Sequence, residues 1–273
     1  MKKILTIILL LFLLQGQTHA VDKFSKEYLQ SHKHFAITNP FVEKVIEHKI
    51  RKTIKKQTGV NYKVKFTGYT LSSMKKGIFK SFELIGKNVT VGDIPIPYAH
   101  VVSETDYNYI DYTQSPIAFK SDMKFAYEAL LSEESLNIAL NKKEYQKIIN
   151  RVNKFAFPMF RIYDVQIKLK NNRIYVLTEY NFPIGASSKN RTFVASSDFN
   201  AQNGNILAKN VQMDSAYGKL PLNKVVSLIN LLNPIGYTVD LFETKQCHIN
   251  IENVNIVDNK VKVNGKIFIK GDE

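Results

Sequence analysis

The amino-acid sequence predicts an α+β fold: a long antiparallel sheet, apolar on one face, with few helices to cover it. Three observations lead there. Downstream of Val60, apolar residues recur mostly at every second position, the repeat of a strand with one buried face. The turn pairs Asn171-Asn172, Asn203-Gly204 and Asp258-Asn259 separate these runs, as hairpins require. Only three stretches, beginning near residues 39, 132 and 221, carry helical signals.

The chain opens with MKKILTIILLLFLLQGQTHA: a lysine pair, an eleven-residue apolar run from Ile4 to Leu14, and the small-residue end Thr18-His19-Ala20. That order reads as a secretory signal over residues 1–20, cleaved after Ala20, and predicts an exported protein, periplasmic or otherwise extracytoplasmic. The run is about half the ~20 residues that span a bilayer. A polar lead occupies 21–38, and residues 39–270 read as one α+β domain. The formal net charge of +14 becomes +12 once Lys2 and Lys3 are removed. For an exported chain, the counter-surface implied is an anionic membrane or acidic envelope polymer rather than nucleic acid, though such a charge also serves solubility.

The first helix is predicted over NPFVEKVIEHKIRKTIKKQ, with Asn39 as cap and Pro40 at its first position. Val42, Ile46, Ile50 and Ile54 make an apolar stripe, while Lys44, His48, Arg51 and Lys55 form a cationic ridge. Lys44, Arg51 and Lys55 are therefore candidates for a head-group or membrane-surface contact, against the alternative of a plain solvated face. The strand-like segments VNYKVKF, IFKSFELIGKNVTV and IPIPYAHVVSETDYNYIDY follow, the last with prolines that suit an edge or a bend. The second helical stretch opens at Ser132, a serine cap followed by Glu133 and Glu134. Two adjacent acids in a first turn complement the helix dipole, which is a simpler account of them than a catalytic pair. Hairpin strands are expected at about 160–170, 173–183, 191–201, 205–214, 245–257 and 260–269, several about twice the usual length.

Signatures of catalysis are absent: the sequence has no G-x-S-x-G, no phosphate-cradling glycine loop, no H-E-x-x-H and no C-x-x-C. Cys247 is the only cysteine, which rules out an intramolecular disulfide. It precedes His248 in a predicted strand, where adjacent side chains face opposite ways, so that histidine does not activate it. His32 and His34 lack a third metal ligand in view. No catalytic residue, metal site or cofactor is predicted.

The stretch LPLNKVVSLINLLNPIG, residues 220–236, carries more apolar surface than a core helix uses. Leu222, Val225, Val226, Ile229 and Leu232 form one stripe, but Leu228 and Leu231 lie outside it. The apolar arc spans roughly 220°, where ~100° suffices for one core face. Either two protein layers enclose this helix, or one side of it lines space for something else.

The order of these elements resembles the LmeA-like phospholipid-binding family of bacterial envelope proteins, named for a mycobacterial lipomannan elongation factor. The likeness covers about residues 39–270: an amphipathic helix, a glycine-containing FELIGKNVTV run, the LSEESLNIAL helix, a hairpin array, then LPLNKVVSLINLLNPI and CHINIENVNIVDNKVKVNGKIFI. The resemblance implies a fold like the tubular lipid-binding (TULIP-like) modules, in which a strongly twisted antiparallel sheet wraps an amphipathic helix and leaves an apolar slot. It implies a phospholipid or other acyl-chain lipid as partner, a role in envelope lipid or glycolipid assembly, and no enzymatic activity. On this reading Val225, Leu228, Leu231, Leu232 and Ile235 line the slot. Burying one acyl chain of about fifteen methylenes at ~0.8 kcal/mol each contributes on the order of 10 kcal/mol before binding costs. Two other functions stay open: a structural or interaction module with a filled core, and an exported hydrolase with convergent titratable groups.

Overall fold

A computed structural model describes residues 23–31, 40–91, 93–111, 113–114, 118–156, 161–181, 191–202, 204–214, 222–233, 235–237, 243 and 245–272. The fold is α+β with a large antiparallel sheet. Among the described residues the helices are α1 Lys26–Ser31, α2 Pro40–Thr58, α3 Leu71–Lys75, α4 Glu133–Leu140, α5 Lys143–Ala156 and α6 Leu222–Leu231. The strands are β1 Tyr62–Gly68, β2 Ile78–Val91, β3 Ile94–Ser103, β4 Asn108–Asp111, β5 Ala118–Phe119, β6 Met123–Leu131, β7 Arg161–Lys170, β8 Arg173–Asn181, β9 Arg191–Gln202, β10 Asn205–Asp214, β11 Cys247–Val257 and β12 Lys260–Ile269. An eight-stranded sheet runs β11-β12-β6-β3-β2-β4-β5, with β1 also paired to β2; β10-β9-β8-β7 form a second sheet of four.

The hairpins form where the turn chemistry is strongest. Asn171, Asn172, Asp258 and Asn259 all adopt positive φ between 51° and 55°, the left-handed conformation that Asn and Asp tolerate and that matches strand twist. Pro95 and Pro97 lie in the part of β3 that pairs with β2 alone; pairing with β6 begins at Tyr98. Their missing N–H groups therefore cost no bond to β6.

Helix side chains seal the sheet edges. On β1, Phe66 N donates to Glu47 Oε1 at 3.1 Å and Gly68 N to Glu43 Oε1 at 3.0 Å. The spacing works because four helical residues rise about 6 Å and two strand residues about 6.6 Å. The same device recurs on β7, where Ile167 N donates to Asn137 Oδ1 at 2.8 Å and Leu169 N to Glu133 Oε2 at 3.0 Å. Asn153 pairs both backbone groups of Ile162 there. On β10, Ala208 N donates to Asn230 Oδ1 at 2.7 Å, and Asn233 Nδ2 donates to Ile206 O at 2.7 Å. Ile249 N of β11 donates to Glu243 Oε1 at 2.9 Å. Open strand edges invite pairing with other chains, and these amides and carboxylates remove the opportunity.

The helix expected from Ser132 onward is two helices. Ser132 caps α4 through a reciprocal box with Ser135, and the helix stops at Asn141; Gln146 Nε2 then donates back to Leu140 O at 3.1 Å. Part of the polar lead also folds. Leu29 of α1 is buried with Tyr69 and Ile78.

The main core joins both sheets. Val261, Val263, Ile251 and Val254 of the large sheet pack with Ile167, Ile174, Val176 and Ala195 of the smaller one, beside Leu136, Tyr145, Ile229 and Leu232 of the helices. The opposite face of the large sheet is wet and charge-paired, as the alternation predicts. Lys65 meets Glu83 at 2.8 Å, Lys262 meets Glu128 at 2.7 Å, and Glu104 takes both Lys124 and Lys266.

Candidate functional site: an apolar recess on the large sheet

Register places small side chains side by side on the apolar face of the large sheet. One rung crosses four strands: Gly86 pairs with Ala99, Ala99 with Ala129, and Ala129 with Val263. Neighbours occupy the space over Gly86, because a Cβ there would stand 2.4 Å from Val89 Cγ1 and 2.7 Å from Tyr62 Cε1. Ala99 and Ala129 keep theirs open. The result is a half-open recess of about 270 Å³, lined by these two alanines with Ile96, Val101, Leu131, Ile249, Val263, Ile267 and their neighbours.

The lining is aliphatic and aromatic. Glu128 borders it only through its place in β6: next to Ala129 in the strand, its side chain lies on the opposite face, where Lys262 Nζ engages the carboxylate at 2.7 Å. Tyr127 adds a ring; its hydroxyl is buried without a hydrogen-bond partner. Burial first, and then the Glu252 carboxylate, push that phenol's pKa up, so it stays neutral. Such a surface takes apolar matter and offers no nucleophile or proton-transfer pair.

The helix residues expected to line a slot are dispersed. Leu232 and Ile235 are fully buried in the main core, and Leu228 is half-buried against it. Leu231 points outward with 56% of its surface exposed. Val225 lies on α6, with its side chain outside the described residues. None of the other four borders the recess. What fixes this end of α6 is Tyr145 of α5, whose buried hydroxyl donates to Leu232 O at 2.6 Å while its ring packs on Tyr237.

Lys44, Arg51 and Lys55 are exposed on α2, and the stripe of Val42, Ile46, Ile50 and Ile54 is half-buried. Cys247 is half-buried at the start of β11, and burial pushes its thiol pKa up. His248 is exposed, with Nδ1 2.9 Å from Glu243 Oε1. Glu133 is taken by Lys168 Nζ at 2.8 Å and Leu169 N, while Glu134 is exposed, so the two acids form no pair. Among the described residues no cluster of His, Cys, Asp and Glu could hold a metal, and no helix is long and apolar enough to cross a membrane. Residues 1–20, where a signal is predicted, and His32 and His34 lie outside the described residues.

Comparison with protein-family models, curated proteins and solved structures finds no match to this chain. The likeness to the LmeA-like proteins thus stands on the residues quoted for it.

Sequence reasoning did not single out Ala99 and Ala129. The signal was available: each is a small residue inside a strand of larger apolar ones. That the two share a rung follows from register, which a single strand's pattern leaves open.

Proposed function

We propose that this chain is an exported, non-enzymatic lipid-binding protein whose recess holds part of an acyl chain. The observation that carries the reading is the recess itself: about 270 Å³ of space with an aliphatic and aromatic lining and no carboxylate facing into it. Small-molecule sites run from ~300 to ~1,000 Å³, so a recess of this size takes a stretch of hydrocarbon and leaves a polar head group in water. Each methylene buried contributes about 0.8 kcal/mol, and aliphatic walls impose no polar desolvation cost.

The signal-like N-terminus and the element order shared with LmeA-like proteins support an extracytoplasmic site of action in envelope lipid or glycolipid assembly. The finer fold reading belongs to the same proposal: the large sheet would play the part of the twisted sheet of tubular lipid-binding modules, with α2 as its amphipathic helix. The test is titration of delipidated protein with a fatty acid whose fluorescence rises in apolar surroundings. One saturable site, displaced by unlabelled fatty acid and insensitive to salt, is expected. Absence of saturable binding by folded protein would overturn the reading.

A further inference from the structure

The cations of α2 differ from the paired lysines of the large sheet. Lys65, Lys262 and Lys266 there face carboxylates, and those charges cancel locally. On α2 the only two acids, Glu43 and Glu47, turn to β1 and accept the N–H groups of Gly68 and Phe66. Lys44, Arg51, Lys52, Lys55 and Lys56 are left exposed, and among the described residues no ion pair engages them. Edge sealing therefore leaves a one-sided cationic face.

Phe41 lies in line with it. Positions 41, 44, 48, 51 and 55 follow the alternating three- and four-residue step that stays on one helix face. Phe41 keeps 73% of its surface exposed, more than any other large apolar residue described. A basic ridge headed by an exposed aromatic is the composition of a helix that lies in a lipid interface, its cations on head groups and its ring among the upper acyl chains.

We propose that the outer face of α2 docks on an anionic lipid surface, with Phe41 entering the interface. Such docking would set the protein beside the reservoir from which the proposed cargo comes. It extends the lipid-binding reading but is measured separately: docking is read with vesicles, recess loading with soluble fatty acid.

The chain contains no tryptophan, so Phe41→Trp supplies a single indole reporter. With vesicles of phosphatidylglycerol its emission should shift to the blue and be quenched by brominated acyl chains. Phosphatidylcholine vesicles should leave it unchanged, and high salt should reverse the shift. Adding Lys44→Gln, Arg51→Gln and Lys55→Gln should lower partitioning about 100-fold, at about fivefold per cation. Circular dichroism checks that each variant is folded. An unshifted indole with phosphatidylglycerol at low salt, or an equal shift with soluble polyphosphate, would overturn the proposal.

Discussion

Ala99 and Ala129 face one another across β3 and β6, and both line the recess. Enlarging either should fill the recess from its floor. Ala129→Phe should reduce fatty-acid affinity at least tenfold. Because the ring enters space that already exists, overpacking should cost no more than about 1–3 kcal/mol, and the protein should remain folded. A fluorescence titration and a thermal melt of the same sample decide the matter. Unchanged affinity would move the ligand elsewhere.

On α6, neighbouring leucines should behave differently. Leu232 and Ile229 are fully buried, so truncating either to Ala should cost about 2–5 kcal/mol. Leu231→Asn lies in water and should change stability by no more than about 0.5 kcal/mol. Denaturant titration of the three variants separates them. A loss of fatty-acid binding in Leu231→Asn, with stability intact, would bring the exposed side of α6 back into the binding surface.

Much of the fold was legible because its signals are local. The hairpin strands observed between Arg161 and Ile269 fall within about two residues of those expected, since period-two alternation and Asn-rich turns mark them directly. The break between α4 and α5 was hidden because apolar periodicity continues across Asn141 and Lys142. Helix α1 was hidden because its single core residue, Leu29, acquires meaning only from Tyr69 and Ile78. The edge-sealing roles of Glu47, Asn137 and Asn230 depend on which strand each helix lies beside, and no sequence window contains both partners. The surplus apolar surface of residues 220–236 left burial between protein layers and the lining of a slot both open, because a helical wheel counts apolar positions without naming their neighbours: Ile229, Leu232 and Ile235 enter a core shared by two sheets, while Leu231 is exposed.

Edge sealing has its own readout. Glu47→Ala leaves the Phe66 N–H of β1 without its acceptor, whereas Glu47→Gln keeps a side-chain oxygen in place. The alanine variant should lose about 1–3 kcal/mol and the glutamine variant less. Hydrogen exchange at Phe66 is the sharper test: protection should fall in Glu47→Ala and largely return in Glu47→Gln. Equal protection in all three proteins would show that the carboxylate does not hold this edge.

Acid should weaken the protein. Lys65 holds the Glu83 carboxyl below its ordinary value of 4.5, Lys266 and Lys124 do the same for Glu104, and Thr113 lowers Asp111. Groups with depressed native pKa values stabilise the fold above their unfolded values and lose that contribution as pH falls through the native ones. The thermal midpoint should therefore decline as pH drops below 4.5. Glu83→Gln with Glu104→Gln should flatten the decline. A midpoint that rises on acidification through this range would contradict the assignment.

The most direct test of the central claim is native mass spectrometry of the protein purified gently from its native source, followed by lipid extraction. One acyl-chain lipid per chain is predicted, lost on delipidation, recovered on incubation with phospholipid vesicles, and missing from Ala129→Phe. Folded protein that carries no stoichiometric lipid, and takes none from vesicles, would contradict the account.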